Sequence, residues 1–125
     1  MRFMMMVKSN ENAGPPPKAL MEAMAKLGEK NAKAGVMIQM GGLSPSAAGA
    51  RVQLTCGKLT VIDGPFIEAK EVVGGYAVFE VKSKKEAIEH TLHFMQLHKD
   101  HWPGWEGETE IRQIFEGSDC GPGME

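Results

Sequence analysis

In this chain of 125 residues, Asp63 is the residue best suited to chemistry. It closes the run Lys58 to Asp63, in which Leu59 and Val61 share its parity, so a strand would carry a carboxylate toward its apolar side. Desolvation at such a place raises a carboxyl pKa toward values useful for a general acid or base. The second dense stretch is His98 to Glu108, His-Lys-Asp-His-Trp-Pro-Gly-Trp-Glu-Gly-Glu. His98 and His101 titrate near neutrality without help. Both tryptophans of the chain, Trp102 and Trp105, lie just after them and offer flat apolar walls with one donor each. Asp63 paired with His98 or His101 would make an acid/base couple acting on a small organic molecule. Trp102 and Trp105, with Phe66, Tyr76 and Arg112, are the candidate ligand contacts.

Each of these residues also has a purely structural reading. In Asp63-Gly64-Pro65-Phe66, an aspartate can bond the backbone two residues on, and glycine tolerates angles other residues avoid. Pro65 fixes its own φ and restricts its predecessor, and Phe66 can anchor the corner in the core. The tryptophans can equally seal a sheet face. His90 and His93, like His98 and His101, are three apart, a spacing at which helical neighbours can share a metal. Pro103 and Gly104 predict a break that keeps the two pairs off one helix, and no HExxH-type motif completes either. No metal is therefore expected. The ten methionines read as core gap-fillers rather than soft-metal ligands. Gly41-Gly42-Leu43 opens a small-residue loop to Gly49 without the Gly-Lys-Ser/Thr of a phosphate loop, so a flexible loop and no cofactor are expected.

The elements that must position these residues follow from periodicity. Arg2 to Val7 reads as a strand apolar on both faces, which asks for cover on both sides. Pro17 to Ala34 reads as a helix with Pro17 as its first residue, an apolar stripe at Leu20, Met24, Leu27 and Asn31, and Gly35 as its C-terminal cap. Val36 to Met40 is a second strand. Arg51 to Thr55 and Lys58 to Asp63 form a hairpin around Cys56-Gly57. Glu68, Lys70 and Glu71 lie in a charge-balanced loop. Tyr76 to Val81 alternates Ala77, Phe79 and Val81 against Tyr76, Val78 and Glu80. Ser83-Lys84-Lys85-Glu86 is a capping box, opening a helix with Ala87, Ile88, Thr91, Leu92 and Met95 on one side. Glu110 to Phe115 is a last strand, and 117–125 has the composition of a flexible tail.

Composition narrows the class. A chain of this length fits one domain, here 1–116, with 42% apolar and 24% charged residues, as in folded soluble proteins. A net charge of −2 without blocks of like charge gives no case for direct nucleic-acid or membrane-surface binding. No apolar run approaches the roughly 20 residues that span a bilayer. Cys56 and Cys120 form neither a CxxC pair nor a disulfide framework, and nothing reads as a secretion signal. A cytoplasmic protein is expected.

Asp63-Gly64-Pro65-Phe66, followed by Glu68-Ala69-Lys70-Glu71 and Gly74-Gly75-Tyr76, resembles the DGPF-domain branch of the YCII-related family. Met1-Arg2-Phe3-Met4, the loop Gly41-Gly42-Leu43-Ser44-Pro45-Ser46 and His101-Trp102-Pro103-Gly104-Trp105 resemble it too, so the likeness covers nearly the whole chain. The resemblance implies an α+β, ferredoxin-like sandwich with an antiparallel sheet, paired with a second subunit as a dimeric α/β barrel. The sheet face of Tyr76, Val78 and Glu80, or its opposite, would then be the homodimer interface. Some YCII-related proteins use a His-Asp pair in lyase-type chemistry, with the histidine in the first helix. Pro17 to Ala34 holds no histidine, so that mechanism does not carry over. The DGPF branch is also similar to partners encoded beside extracytoplasmic-function sigma factors, which implies an accessory or regulatory role. Two readings stand: a dimeric small-molecule-binding or accessory module, and an enzyme using Asp63 with His98 or His101.

Overall fold

The computed structural model describes residues 1–66 and 69–115. Glu68, Cys120 and the tail expected over 117–125 lie outside the described residues. The chain runs β1 (Arg2–Ser9), α1 (Lys18–Lys33), β2 (Met37–Gly42), β3 (Ala50–Thr55), β4 (Lys58–Asp63), β5 (Val72–Glu80), α2 (Lys84–His101) and β6 (Gly107–Gln113). Among the described residues, β2, β5, β1 and β6 form one antiparallel sheet in that order, and β3 and β4 form a separate ribbon. The order β1-α1-β2, β5-α2-β6 with that sheet is a ferredoxin-like α+β fold carrying a hairpin between its halves.

Alternation decides what each face of the sheet receives. Phe3, Met5, Ala77, Phe79 and Val81 are buried with Ala87 of α2 in one core, against which Val7, Met37, Phe94 and Ile111 pack. The other face carries Met4 and Met6 opposite Val78 and Tyr76, flanked by Arg2 with Glu80 and Lys8 with Glu110. These four central apolar side chains are only partly buried. Of the two faces expected to need cover, the helices therefore cover one.

Irregular pairing at β2 changes which side chains reach the helices. A bulge at Met37/Gln39 puts Met37 opposite Phe79 and Met40 opposite Ala77, so two methionines three apart both face the helices. Tyr76 lies on the opposite face, its ring across Gly41, where an added Cβ would come within 3.0 Å of the ring. The Tyr76 hydroxyl accepts from Gln39 Nε2 at 3.0 Å.

Helix α1 begins one residue later than expected, with Pro17 as its cap. It ends as expected: Gly35 takes φ 75°, and Gly35 and Val36 N–H donate to the Ala32 and Asn31 carbonyls at 3.1 and 2.9 Å. At the head of α2 the Ser83 hydroxyl accepts from Glu86 N–H at 3.1 Å, and the Glu86 carboxylate accepts from Lys82 N–H at 3.2 Å. Helix α2 then continues to His101, so all four histidines share it; the expected separation of the two pairs fails. The reason is local. The helix-breaking residues are Pro103 and Gly104, and nothing before Trp102 stops the hydrogen-bond ladder. The buried face of α2 is Ala87, Thr91 and His98 with Phe94, while Ile88 and Leu92 are 38% and 65% exposed.

The hairpin turns at Cys56 and Gly57, both at positive φ (52° and 76°), as a tight type I′ turn requires. None of its strand residues is buried, and Val52, Leu54, Leu59 and Val61 share one exposed side.

Candidate functional site

Between the helix-facing side of the sheet and the two helices, side chains do not fill the space. Helix α1 presents Ala25, Gly28 and Asn31 here beside Met21, Met24 and Leu27, and a cavity of about 760 Å³ opens toward the loops at one end of the sheet. Gly28 lets α1 approach β2 closely: an added Cβ would meet Met40 Sδ at 3.0 Å and Met37 Cε at 3.1 Å. The walls are Met5, Val7, Phe79 and Phe94 together with flexible methionines of α1 and β2. A concave, mainly apolar space with a few polar groups is the form ligand sites usually take.

His98, Asn31, His90 and Glu11 bring the polar chemistry to this space. His98 is 5% exposed as a residue, and its ring sits between Phe94 and Trp105, with centroids 4.7 and 4.6 Å away. Its Nδ1 lies 3.1 Å from the Phe94 carbonyl oxygen. A carbonyl only accepts, so in the neutral ring Nδ1 carries the hydrogen and Nε2 keeps a lone pair. Burial lowers the His98 pKa below the ordinary range, opposed in part by the bond to Phe94. Asn31 is 9% exposed, and its amide makes no hydrogen bond with a described residue. Among the described residues, Trp105 Nε1 is the one fully occluded side-chain polar atom without a partner. His98 Nε2 and the Asn31 amide, also unpartnered, are not fully occluded, and both residues line the cavity. Trp105 lies over Gly107, where an added Cβ would run into the indole ring, and stacks on Trp102 at 5.8 Å.

The Asp63 corner shapes the cavity rim. Gly64 N–H donates to the Gly49 carbonyl at 2.9 Å, and Phe66 N–H donates to the Ser46 hydroxyl at 3.0 Å. Gly64 packs directly on the Ser46 carbonyl, and an added Cβ would collide with that backbone. Ser46 N–H in turn donates to Glu11 Oε1 at 3.1 Å, and Leu43 N–H to the Gly74 carbonyl at 3.0 Å. The loop after β2 is therefore tied on three sides, with a 3₁₀ turn at Ser46–Ala48, where a free flexible loop was expected. Leu43, Ser44 and Pro45 of this loop and Glu11 line the cavity.

A family model described as YCII-related domain matches residues 1–94. The chain belongs to the YCII-related family. A search of the curated proteins finds no match. The matched stretch of this YCII-related protein ends within α2, at Phe94, so His98, Trp102 and Trp105 lie beyond it.

Of the residues singled out from the sequence, His98, Trp102, Trp105 and Tyr76 border the cavity, Tyr76 with its ring on the far face of the sheet. Asp63 is exposed at the end of β4, and its side chain makes no hydrogen bond with a described residue. Its side chain does not hold the corner, which Ser46 and Gly49 do instead. His101 ends α2 outside the cavity lining. Phe66 lies beneath the Arg51 guanidinium at 3.9 Å, and Arg112 is exposed on the other face of the sheet, 3.7 Å from Glu110. The cavity thus gathers His98 with the tryptophans and leaves out Asp63. Asn31, Gly28, Met37 and Met40 were not legible as site residues. Their one signal in the sequence was an asparagine continuing an apolar helical stripe.

Stability measurements check this arrangement. Gly64→Ala should lower unfolding free energy by about 1–3 kcal/mol in denaturant titration, because backbone must move to admit the methyl. Asp63→Ala should stay within about 0.5 kcal/mol of the parent, as for exposed positions without partners. For His98 the folded pKa is depressed, so the unfolded chain takes up the proton first as pH falls. Stability should be level above the ordinary histidine value of about 6.5 and decline below it, down through the lower folded value. His98→Phe should abolish that part of the slope.

Proposed function

We propose that this YCII-related protein, of the DGPF type, is a cytoplasmic dimeric module that binds a small organic molecule between α1, α2 and the sheet. The observation that carries this reading is the cavity of about 760 Å³, within the range of sites for drug-sized ligands. Its walls are mainly apolar, and among its few polar groups His98 Nε2 and the Asn31 amide are unpartnered, so a ligand gains apolar burial and finds hydrogen bonds waiting. Dimerisation is read from the other sheet face. Met4, Met6, Tyr76 and Val78 make an apolar centre between ion pairs, the pattern of an interface core with a charged rim. The accessory role beside an extracytoplasmic-function sigma factor fits a protein whose output is ligand occupancy.

A catalytic reading has one observation in its favour, the neutral His98 with a free lone pair inside the cavity. Acid/base chemistry would then start from His98, with Asp63 and His101 standing outside the lining.

Nile red, a neutral apolar dye, tests the binding reading. Its emission should rise saturably with one dye per chain and quench Trp102 and Trp105, and Ala25→Phe, which fills the cavity from α1, should weaken binding at least about tenfold. Unchanged affinity in that variant would remove the cavity from the account. Sedimentation velocity checks the dimer: the parent should sediment as a dimer and Val78→Glu as a monomer, since an unpaired carboxylate at an interface centre is costly.

A further inference from the structure

The binding reading leaves open which molecules the cavity takes, and its charge and hydrogen-bond inventory narrows them. We propose that the cavity selects neutral, largely apolar molecules ending in a hydroxyl or N–H donor, which gives its hydrogen to His98 Nε2, and that it rejects anions. This rests on the proposal that the cavity is a ligand site.

Charge makes the first selection. Among the described residues, no lysine or arginine lines the cavity, and its one acidic group is Glu11. An anion entering would surrender its hydration without meeting a lysine or arginine, and His90 already faces the Glu86 carboxylate at 4.0 Å, so the loss is several kcal/mol in an apolar setting. An organic cation fares little better, because the Glu11 carboxylate is exposed at the rim and already accepts from Ser46 N–H. A neutral molecule escapes both costs.

Direction comes from His98. With Nδ1–H committed to the Phe94 carbonyl, the ring offers the cavity a lone pair and no hydrogen. An ether or carbonyl oxygen placed there would set lone pair against lone pair, whereas a hydroxyl would bond. Phe94 and Trp105 hold the ring between them, and Trp105 keeps its place because Gly107 has no side chain. The acceptor is therefore fixed before any ligand arrives, which reduces the ordering cost of binding. Asn31, with both donor and acceptor, can serve a second polar group of either kind and does not enforce direction.

Isothermal titration calorimetry at pH 7.5 with three probes of one shape tests this: 4-phenylphenol, 4-methoxybiphenyl and biphenyl-4-carboxylate. The phenol should bind roughly 3- to 10-fold more tightly than the methyl ether, the usual return on one net hydrogen bond. That ordering runs against apolarity, since the ether is the more apolar of the two. The carboxylate should give no measurable binding. In His98→Phe, which keeps an aromatic ring between Phe94 and Trp105, the phenol should lose its advantage over the ether. The comparison in the parent protein needs no variant and stands even if His98→Phe folds poorly. Equal affinity for phenol and ether, or tighter binding of the carboxylate, would overturn the inference and leave the binding reading intact. Failure of all three to bind would overturn both.

Discussion

Strand β1 pairs along its length with β5 on one side and β6 on the other, and this central pairing constrains everything else. Because side chains alternate, one register sends Phe3 and Met5 to the helices and Met4 and Met6 to the opposite face. A slip of one residue would exchange the two sets and leave the helices packing on Arg2 and Lys8. The ion pairs at the ends of β1 mark the chosen register: the N-terminal ammonium lies 2.9 Å from Glu80, and Lys8 lies 2.8 Å from Glu110. These groups are substantially exposed, so the pairs add little energy and mainly fit the side that burial has already decided.

With that face fixed, the cavity follows from residues that do not fill it. The β2 bulge sends both Met37 and Met40 inward, and Gly28 admits them against α1. Beside Met21, Met24 and Leu27, α1 gives this space the small or polar Ala25, Gly28 and Asn31, and Leu20 is its one fully buried large side chain among the described residues. Methionine is well suited to such a boundary, since an unbranched thioether can repack around guests of different shape. A domain of this size gives up core contacts by keeping this space open, and a molecule that binds the folded state alone would restore stability through mass action.

Most of the fold was readable in one dimension because its determinants are local or periodic. The alternation of Tyr76 to Val81, the Ser83–Glu86 box, the Gly35 cap and the Cys56-Gly57 turn each involve residues a few positions apart, and each appears where expected. Helix α2 ran longer than expected because breakers in sequence mark where a helix must stop, not where it has already stopped. The site was less readable because its parts meet only in space. His98 carries a recognisable chemical type, yet its partners are Phe94 and Trp105, and no spacing rule connects it to Asn31 or Met5. Gly28 and Gly107 matter for what they lack, and that shows only once the neighbouring chain is in place.

The Asp63-Gly64-Pro65-Phe66 corner shows how a dense motif can shape a site without lining it. Its chemical candidate is solvated, while its quieter members grip the loop after β2: Gly64 against the Ser46 carbonyl, Phe66 N–H on the Ser46 hydroxyl. Ser46 passes that restraint to Glu11 and so to the connection between β1 and α1. Two loops that border the cavity are thereby held by a corner that belongs to the hairpin. An exposed carboxylate contributes little to such a clamp, because water competes for every bond it could make. A missing side chain and a backbone N–H lose nothing to water when the loop is packed upon them, and the rim of the cavity depends on those two groups.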